Sequence, residues 1–309
     1  MRVTLIHNAT AGDGEHTREW VEGLLGGRHD ARYLSMDDDD WRAGLAEPAD
    51  LVVVAGGDGT VASVVTALAG RTTPAAVVPL GSANNIARTL GIADVDPAWL
   101  ARADQGVRRP FDIGRVTSSL GEAPFVESLG GGVFADLLHR AEADPHDPDG
   151  EEKRERGLRL LRDAIAEAPS LRWRLTLDGR DLSGDLLAVQ VMNIREIGPN
   201  LPLAADADPG DGLLDVVVVR PEHRGALRAL VDAAAERRVV ASSLPVARGR
   251  RLEARLPAGC RVHADDDPWP TADALERDAP ASIAVGPARL EVLVPPEAAT
   301  ARSRSAGAR

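Results

Sequence analysis

Apolar positions along the first hundred residues fall into two alternating rhythms. Short unbroken runs at 3–7, 51–55 and 75–79 read as strands buried on both faces of a parallel sheet. Between them, residues 15–25 carry a helical period. Val61, Val64, Val65 and Leu68 share one side of a helix that Thr60 is expected to cap, and Ser82 is expected to open another helix through Leu90. This βαβαβ rhythm predicts a doubly wound α/β domain. From residue 111 the pattern changes to strands in close succession, at 111–118, 124–130, 171–177, 185–193, 213–219, 251–256, 260–264 and 282–285. Such spacing predicts an antiparallel β-sandwich or barrel. Helices at 153–168, with Leu158, Leu161 and Ile165 as an apolar stripe, and at 223–237 interrupt it. The expected domains are 1–113 (α/β, nucleotide-binding) and 114–294 (β-sandwich, substrate-binding), with 295–309 either a disordered tail or a return to the first domain.

Composition narrows the chemistry. The chain has 309 residues, and Lys153 is the one lysine among its 36 basic residues. It lies in a polar stretch with no glycine loop before it, so neither a Walker A lysine nor a protein-kinase strand lysine is available. Phosphate chemistry must then fall to backbone amides, arginine or a metal ion. A net charge of −12 argues against a nucleic-acid partner. Cys260 stands alone, which excludes an intramolecular disulfide and a cysteine-built zinc site. The first apolar run is too short for a signal peptide, and no stretch reaches the length of a membrane span. A cytoplasmic protein is the expectation, and a homodimer is left open.

Gly56-Gly57-Asp58-Gly59-Thr60 is the sharpest local feature. Glycines after a buried strand allow a tight turn and close approach of a ligand, and amides at the following helix start face an anion such as a phosphate. Asp58 would hold Mg²⁺ there, directly or through water; the plain alternative is a strand-to-helix turn that Asp58 caps. Gly57, Gly59 and Ala62 also fit a dinucleotide fingerprint, but the next strand ends in Pro79-Leu80-Gly81-Ser82 without the acid that fingerprint needs. Gly130, Gly132 and Ala135 fit the same pattern by chance. Leu80-Gly81-Ser82-Ala83-Asn84-Asn85 repeats the strand, glycine turn and helix start. Asn84 and Asn85 there suit ribose or phosphate, or simple helix capping.

Together these segments resemble the diacylglycerol kinase catalytic family, whose members include sphingosine kinases. The resemblance rests on residues 56–60, on Pro79 to Asn84 followed by Ile86-Ala87-Arg88, and on Asn8-Ala9-Thr10-Ala11-Gly12 as a phosphate loop with Ala9 in place of proline. Asp112-Ile113-Gly114, Leu203 to Ala207 and Asp211 to Val216 extend it into the second domain. It implies ATP- and Mg²⁺-dependent phosphorylation of a lipid hydroxyl, with ATP in a cleft between the two domains and the lipid met by peripheral contact with a membrane surface. An apolar pocket in the second domain would receive the acyl chains. The phosphates would sit on loops at Asn8, Gly56, Gly57, Asp58, Gly59, Thr60, Gly81, Ser82 and Asn84. Asp58 and Asp112 would join the Mg²⁺–water network, and Asp211 with the carbonyls of Pro209 and Leu213 would form a separate structural metal site.

By the same correspondence Asp265 is the proton acceptor, Asp267 replaces a glutamate near the nucleotide, and Asp266 replaces a glycine. If that glycine has positive φ, Asp266 strains the turn. Neighbouring carboxylates would also raise one another's pKa. Asn85 stands where some bacterial members carry an aspartate. His263 reads as packing, and Arg248, Arg250 and Arg251 as a solvated turn or headgroup contacts. Two rivals remain at this point: a soluble-substrate kinase of NAD-kinase type, and a nucleotide- or lipid-binding protein without turnover.

Overall fold

The computed structural model describes residues 1–12, 14–143 and 150–299; of the tail expected at 295–309, residues 300–309 lie outside them. Among them two compact units result, Met1–Phe111 joined by the chain from Pro287, and Asp112–Gly286.

In the first unit β1 (Arg2–His7), β2 (Asp30–Ser35), β3 (Leu51–Gly56) and β4 (Ala75–Pro79) are parallel, in the order β2–β1–β3–β4. All six residues of β3 are buried, as its unbroken apolar run requires. Helices α1 (Arg18–Gly23), α2 (Trp41–Gly44), α3 (Asp58–Ala67) and α4 (Asn85–Leu90) alternate with the strands. The core gathers Leu5, Val21, Val53, Ala76, Leu100 and Leu293.

The β2 strand mixes polar and apolar residues, none of them buried, and offered no strand signal. Two expected helix starts move. Helix α3 opens at Asp58 behind Gly57, not behind Thr60. Helix α4 opens at Asn85, because Asn84 adopts left-handed backbone (φ 52°) and no helix runs through it.

The chain leaves this unit inside β5 (Val107–Ser118) and returns inside the last strand. Then follow β6 (Gly121–Phe125), β7 (Ser128–Gly132), α5 (Val133–Ala143), α6 (Gly150–Glu167), β8 (Leu171–Leu177), β9 (Arg180–Asp181), β10 (Gly184–Leu186), β11 (Ala188–Met192) and β12 (Leu214–Val219). Helix α7 (Arg224–Ala235), β13 (Val246–Gly249), β14 (Arg251–Leu256), β15 (Val262–Ala264), β16 (Asp267–Pro268) and β17 (Ala279–Val294) complete it.

One sheet of the second unit orders β10–β8–β14–β17, with β5 joining β17 to β6; the other orders β13–β12–β11–β7–β15–β16. Alternating burial along β8 and β14 turns Trp173, Leu175, Leu252 and Ala254 into the space between the sheets, where Val189, Val216 and Val262 meet them. The opposite face of the second sheet, through Ala188, Met192, Val217 and Val219, packs on Leu158, Leu161, Leu227 and Val231 of the helices. The fold is thus an α/β unit plus an antiparallel β-sandwich with helices on one face. Helix α5 carried no sequence expectation, and the strand expected at 124–130 is two strands broken at Val126 and Glu127.

Candidate active site

Three loops leave the C-terminal ends of neighbouring parallel strands β1, β3 and β4, and glycine lets them touch. A Cβ on Gly81 would lie 2.7 Å from Gly57 Cα, and one on Gly12 (φ +65°) would lie 2.2 Å from the Leu80 carbonyl oxygen. Asn8 ties the first loop to the second: its Nδ2 donates to the Thr60 hydroxyl at 2.9 Å, while its Oδ1 accepts from the Thr10 amide at 3.1 Å. Gly57 has no side chain with which to cap α3, so the first turn, Gly59 and Thr60 included, presents amides without a side-chain cap. Free amides at a helix start can receive a phosphate group.

Two other predicted groups of this unit, Asp58 and Asn84, are held by neighbouring backbone. The two Asp58 oxygens accept from the amides of Asn85 and Ile86, each at 2.9 Å, so Asp58 caps α4. Asn84 closes its own loop, with Oδ1 accepting from Gly81 N at 2.9 Å and Nδ2 donating to Gly81 O at 2.6 Å. Ser82 is exposed on that loop.

In the second unit β15 and β16 form a hairpin whose two-residue loop is Asp265-Asp266. The positive φ falls on Asp265 (52°), not on Asp266, so the glycine replacement is not the strained position. Three successive amides hold the Asp265 carboxylate. Oδ1 accepts from Val126 at 3.0 Å, Glu127 at 2.7 Å and Ser128 at 3.1 Å, whereas Oδ2 accepts from Val126 alone, at 2.9 Å. The carboxyl is pushed up to about 7, because burial raises it by more than the three amides lower it, with a smaller upward push from Asp266. A small cavity of about 40 Å³ opens beside it, walled by Phe134, Leu137, Leu138, Ile197 and Leu201. Asp267 is exposed on β16, across from Ala264.

Asp112 is buried, and its Oδ2 accepts from Gly212 N at 2.7 Å. Its amide donates to the Pro209 carbonyl. The Asp211 carboxylate accepts from Leu213 N at 2.9 Å and from Arg248 at 2.5 Å. Arg248 also lies 3.1 Å from the buried Asp215. At the predicted set of Asp211, Pro209 and Leu213, the Arg248 guanidinium pairs with Asp211 and the Pro209 oxygen accepts a hydrogen bond from the Asp112 amide, so a cation there would have to displace Arg248. Among the described residues no group of three His, Cys, Asp or Glu could hold a metal ion. Mg²⁺ at Asp58 or Asp112 would therefore take most of its oxygens from phosphate and water, which is its usual habit.

Comparison with known proteins gives this arrangement a context. Residues 2–116 match the model of the diacylglycerol kinase catalytic domain, and residues 158–294 match the YegS C-terminal NAD kinase beta sandwich-like domain. A Pseudomonas aeruginosa protein named "Probable lipid kinase YegS-like" is 30% identical over 85% of this chain and 86% of its own. The chain belongs to the diacylglycerol kinase catalytic-domain family. A Mycobacterium tuberculosis diacylglycerol kinase is 29% identical over 95% of this family member and 90% of the relative. The crystal structure of a Bacillus anthracis diacylglycerol kinase superposes with a TM-score of 0.67 at 18% identity, covering 96% of this chain and 98% of the other. An Archaeoglobus fulgidus NAD kinase solved with ATP shares the fold at a TM-score of 0.51 and 14% identity, over 96% and 95% of the two chains.

Sequence reasoning missed the amide trap at residues 126–128, the Arg248 bridge and the environment of His263. The run Gly130-Gly131-Gly132 was the available signal for the last of these. Among the described residues no helix is long and apolar enough to cross a membrane.

Proposed function

We propose that this family member is a lipid kinase that moves the γ-phosphoryl group of ATP, with Mg²⁺, onto the hydroxyl of a diacylglycerol-like or sphingoid lipid met at a membrane surface. Bound MgATP supplies the phosphoryl group and the divalent charge that offsets its oxygens. The amides at the start of α3 and the Gly81 loop hold phosphate oxygens, and the glycine contacts keep side chains out of their way. The lipid oxygen bonds to phosphorus as the bond from phosphorus to the β-phosphate oxygen breaks, and the hydroxyl proton passes to Asp265. Its Oδ2 is the oxygen for that step, since Oδ1 already accepts hydrogen bonds from three amides. An acid held near neutrality is matched to a general base, worth roughly 10²–10⁴-fold.

The observation that carries this reading is the placement of Asp265 beside an apolar cavity. At about 40 Å³ that cavity holds about one water, so an acyl chain enters only as its walls part. The test is transfer from labelled ATP to diacylglycerol, sphingosine and a mixed lipid extract, for wild type and Asp265→Asn. Labelled lipid that falls at least tenfold in the variant supports the reading. Label on NAD instead, or ATP bound without any product, sinks it.

A further inference from the structure

Gly130 sits between two polar residues in a sheet row that is otherwise apolar. It pairs with Gln190 of β11 on one side and with His263 of β15 on the other. Directly paired residues share a face, so the two side chains meet over the glycine: Gln190 Nε2 lies 2.9 Å from His263 Nε2. A Cβ on Gly130 would fall 2.3 Å from the Gln190 amide, so any larger residue there would push that amide off His263. Gln190 is 0% exposed and His263 3%, so bulk water does not compete for either side chain.

The hydrogen-bond directions follow from chemistry. His263 Nδ1 lies 2.7 Å from the carbonyl oxygen of Asp265, which can only accept, so Nδ1 carries the proton. Nε2 of the neutral ring is then an acceptor, and the Gln190 amide must donate to it. Burial lowers the histidine's affinity for a second proton, to a pKa of about 4, which agrees with this single tautomer. The carbonyl being held belongs to the residue with left-handed backbone, a conformation that an aspartate keeps only where its surroundings over-determine it. The amide trap holds the carboxylate from one side, and His263 holds the peptide from the other.

We propose that His263 is a positioning residue for the proton acceptor, with Gln190 fixing its tautomer and Gly130 making the room in which they meet. This rests on Asp265 being the proton acceptor. Asparagine places an N–H where histidine has Nδ1, whereas glutamine reaches only toward the Nε2 position. The two substitutions therefore separate holding Asp265 from filling space.

The full chain, assayed for transfer from ATP to a diacylglycerol in mixed micelles, is compared with His263→Asn, His263→Gln, Gln190→Met and Asp265→Asn. His263→Asn is expected to keep kcat within about threefold of wild type, and His263→Gln to lose at least tenfold in kcat with KM for ATP within twofold. Equal losses in the two, or no loss in His263→Gln, overturn the proposal while Asp265→Asn is inactive. A fully active Asp265→Asn overturns instead the reading of the base on which it rests. Should both histidine variants melt well below wild type, Gln190→Met decides: a threefold or greater fall in kcat at unchanged KM supports positioning, and an unchanged kcat overturns it.

Discussion

Arg248 and Asp215 stand directly opposite one another on β13 and β12, with Nε 3.1 Å from the carboxylate. The same guanidinium reaches Asp211 at 2.5 Å and so joins two acids that would otherwise repel each other. Asp215 is 2% exposed, and breaking a buried pair from one side leaves a charge without its partner. Arg248→Ala is therefore expected to cost about 2 kcal/mol in urea unfolding, below the full buried-pair penalty because the arginine is partly solvated. EDTA is expected to leave the wild-type melting temperature unchanged, since a side chain fills the place of the expected structural cation. A fall of several degrees with EDTA, restored by a divalent cation, would count against this.

The three loops over β1, β3 and β4 lie close because Gly12, Gly57 and Gly81 lack Cβ atoms. Both collisions on substitution involve backbone, which cannot swing aside as a side chain can. Gly81→Ala is expected to cost about 1–3 kcal/mol in stability, the range for overpacking, and to weaken binding of ATP. Gly23→Ala is the control, because Gly23 ends α1 away from these loops and a Cβ there meets nothing within 4 Å. Isothermal titration with ATP checks both; equal affinities for the two variants would show that the packed loops do not shape the site.

Asp58 holds two amides of α4, a helix of six residues. Losing a capping carboxylate typically costs about 1 kcal/mol, and here two donors lose their acceptor. Asp58→Ala should therefore speed hydrogen exchange at the Asn85 and Ile86 amides well beyond any change in β3. Exchange that rises equally throughout the unit would make Asp58 part of global stability and not a local cap.

The elements best legible in sequence are those whose burial is uniform or strictly alternating. Strands β3, β4, β8 and β14 lie within a residue of the pattern, because Leu51 to Ala55 can only be buried on two faces and Leu171 to Leu177 on one. Strand β2 was hidden because an edge strand needs no apolar run, its half-exposed Asp30 to Ser35 pairing only with β1. The site divides in the same way. Glycine loops are readable because their backbone needs are local, and Asp265 through its family correspondence. The amides that grip Asp265 come from residues nearly 140 positions away, and amides carry no side-chain signature. Arg248 and His263 looked like a surface arginine and a packing histidine because their partners, Asp215 and Gln190, are brought to them only by strand pairing.

Opposite pKa shifts at adjacent positions give the site a pH signature with two separable parts. Asp265 must be ionised to accept a proton, and burial raises it to about 7, so kcat/KM is expected to rise with pH through about 7. His263, whose pKa is shifted the other way, acts on stability. Its folded pKa of about 4 lies below the unfolded 6.5, so the unfolded chain takes up the proton first. Its contribution is complete above about 6.5 and is lost as pH falls through about 4, amounting to on the order of 3 kcal/mol. His263→Asn has no proton to gain, so wild type should lose stability against it between pH 6.5 and 4 while both keep the same limb of kcat/KM near 7. Urea midpoints for the two proteins across that range are the measurement. Parallel curves would mean that His263 is charged in the folded state, with Nε2 a donor to Gln190 Oε1 and the tautomer argument wrong.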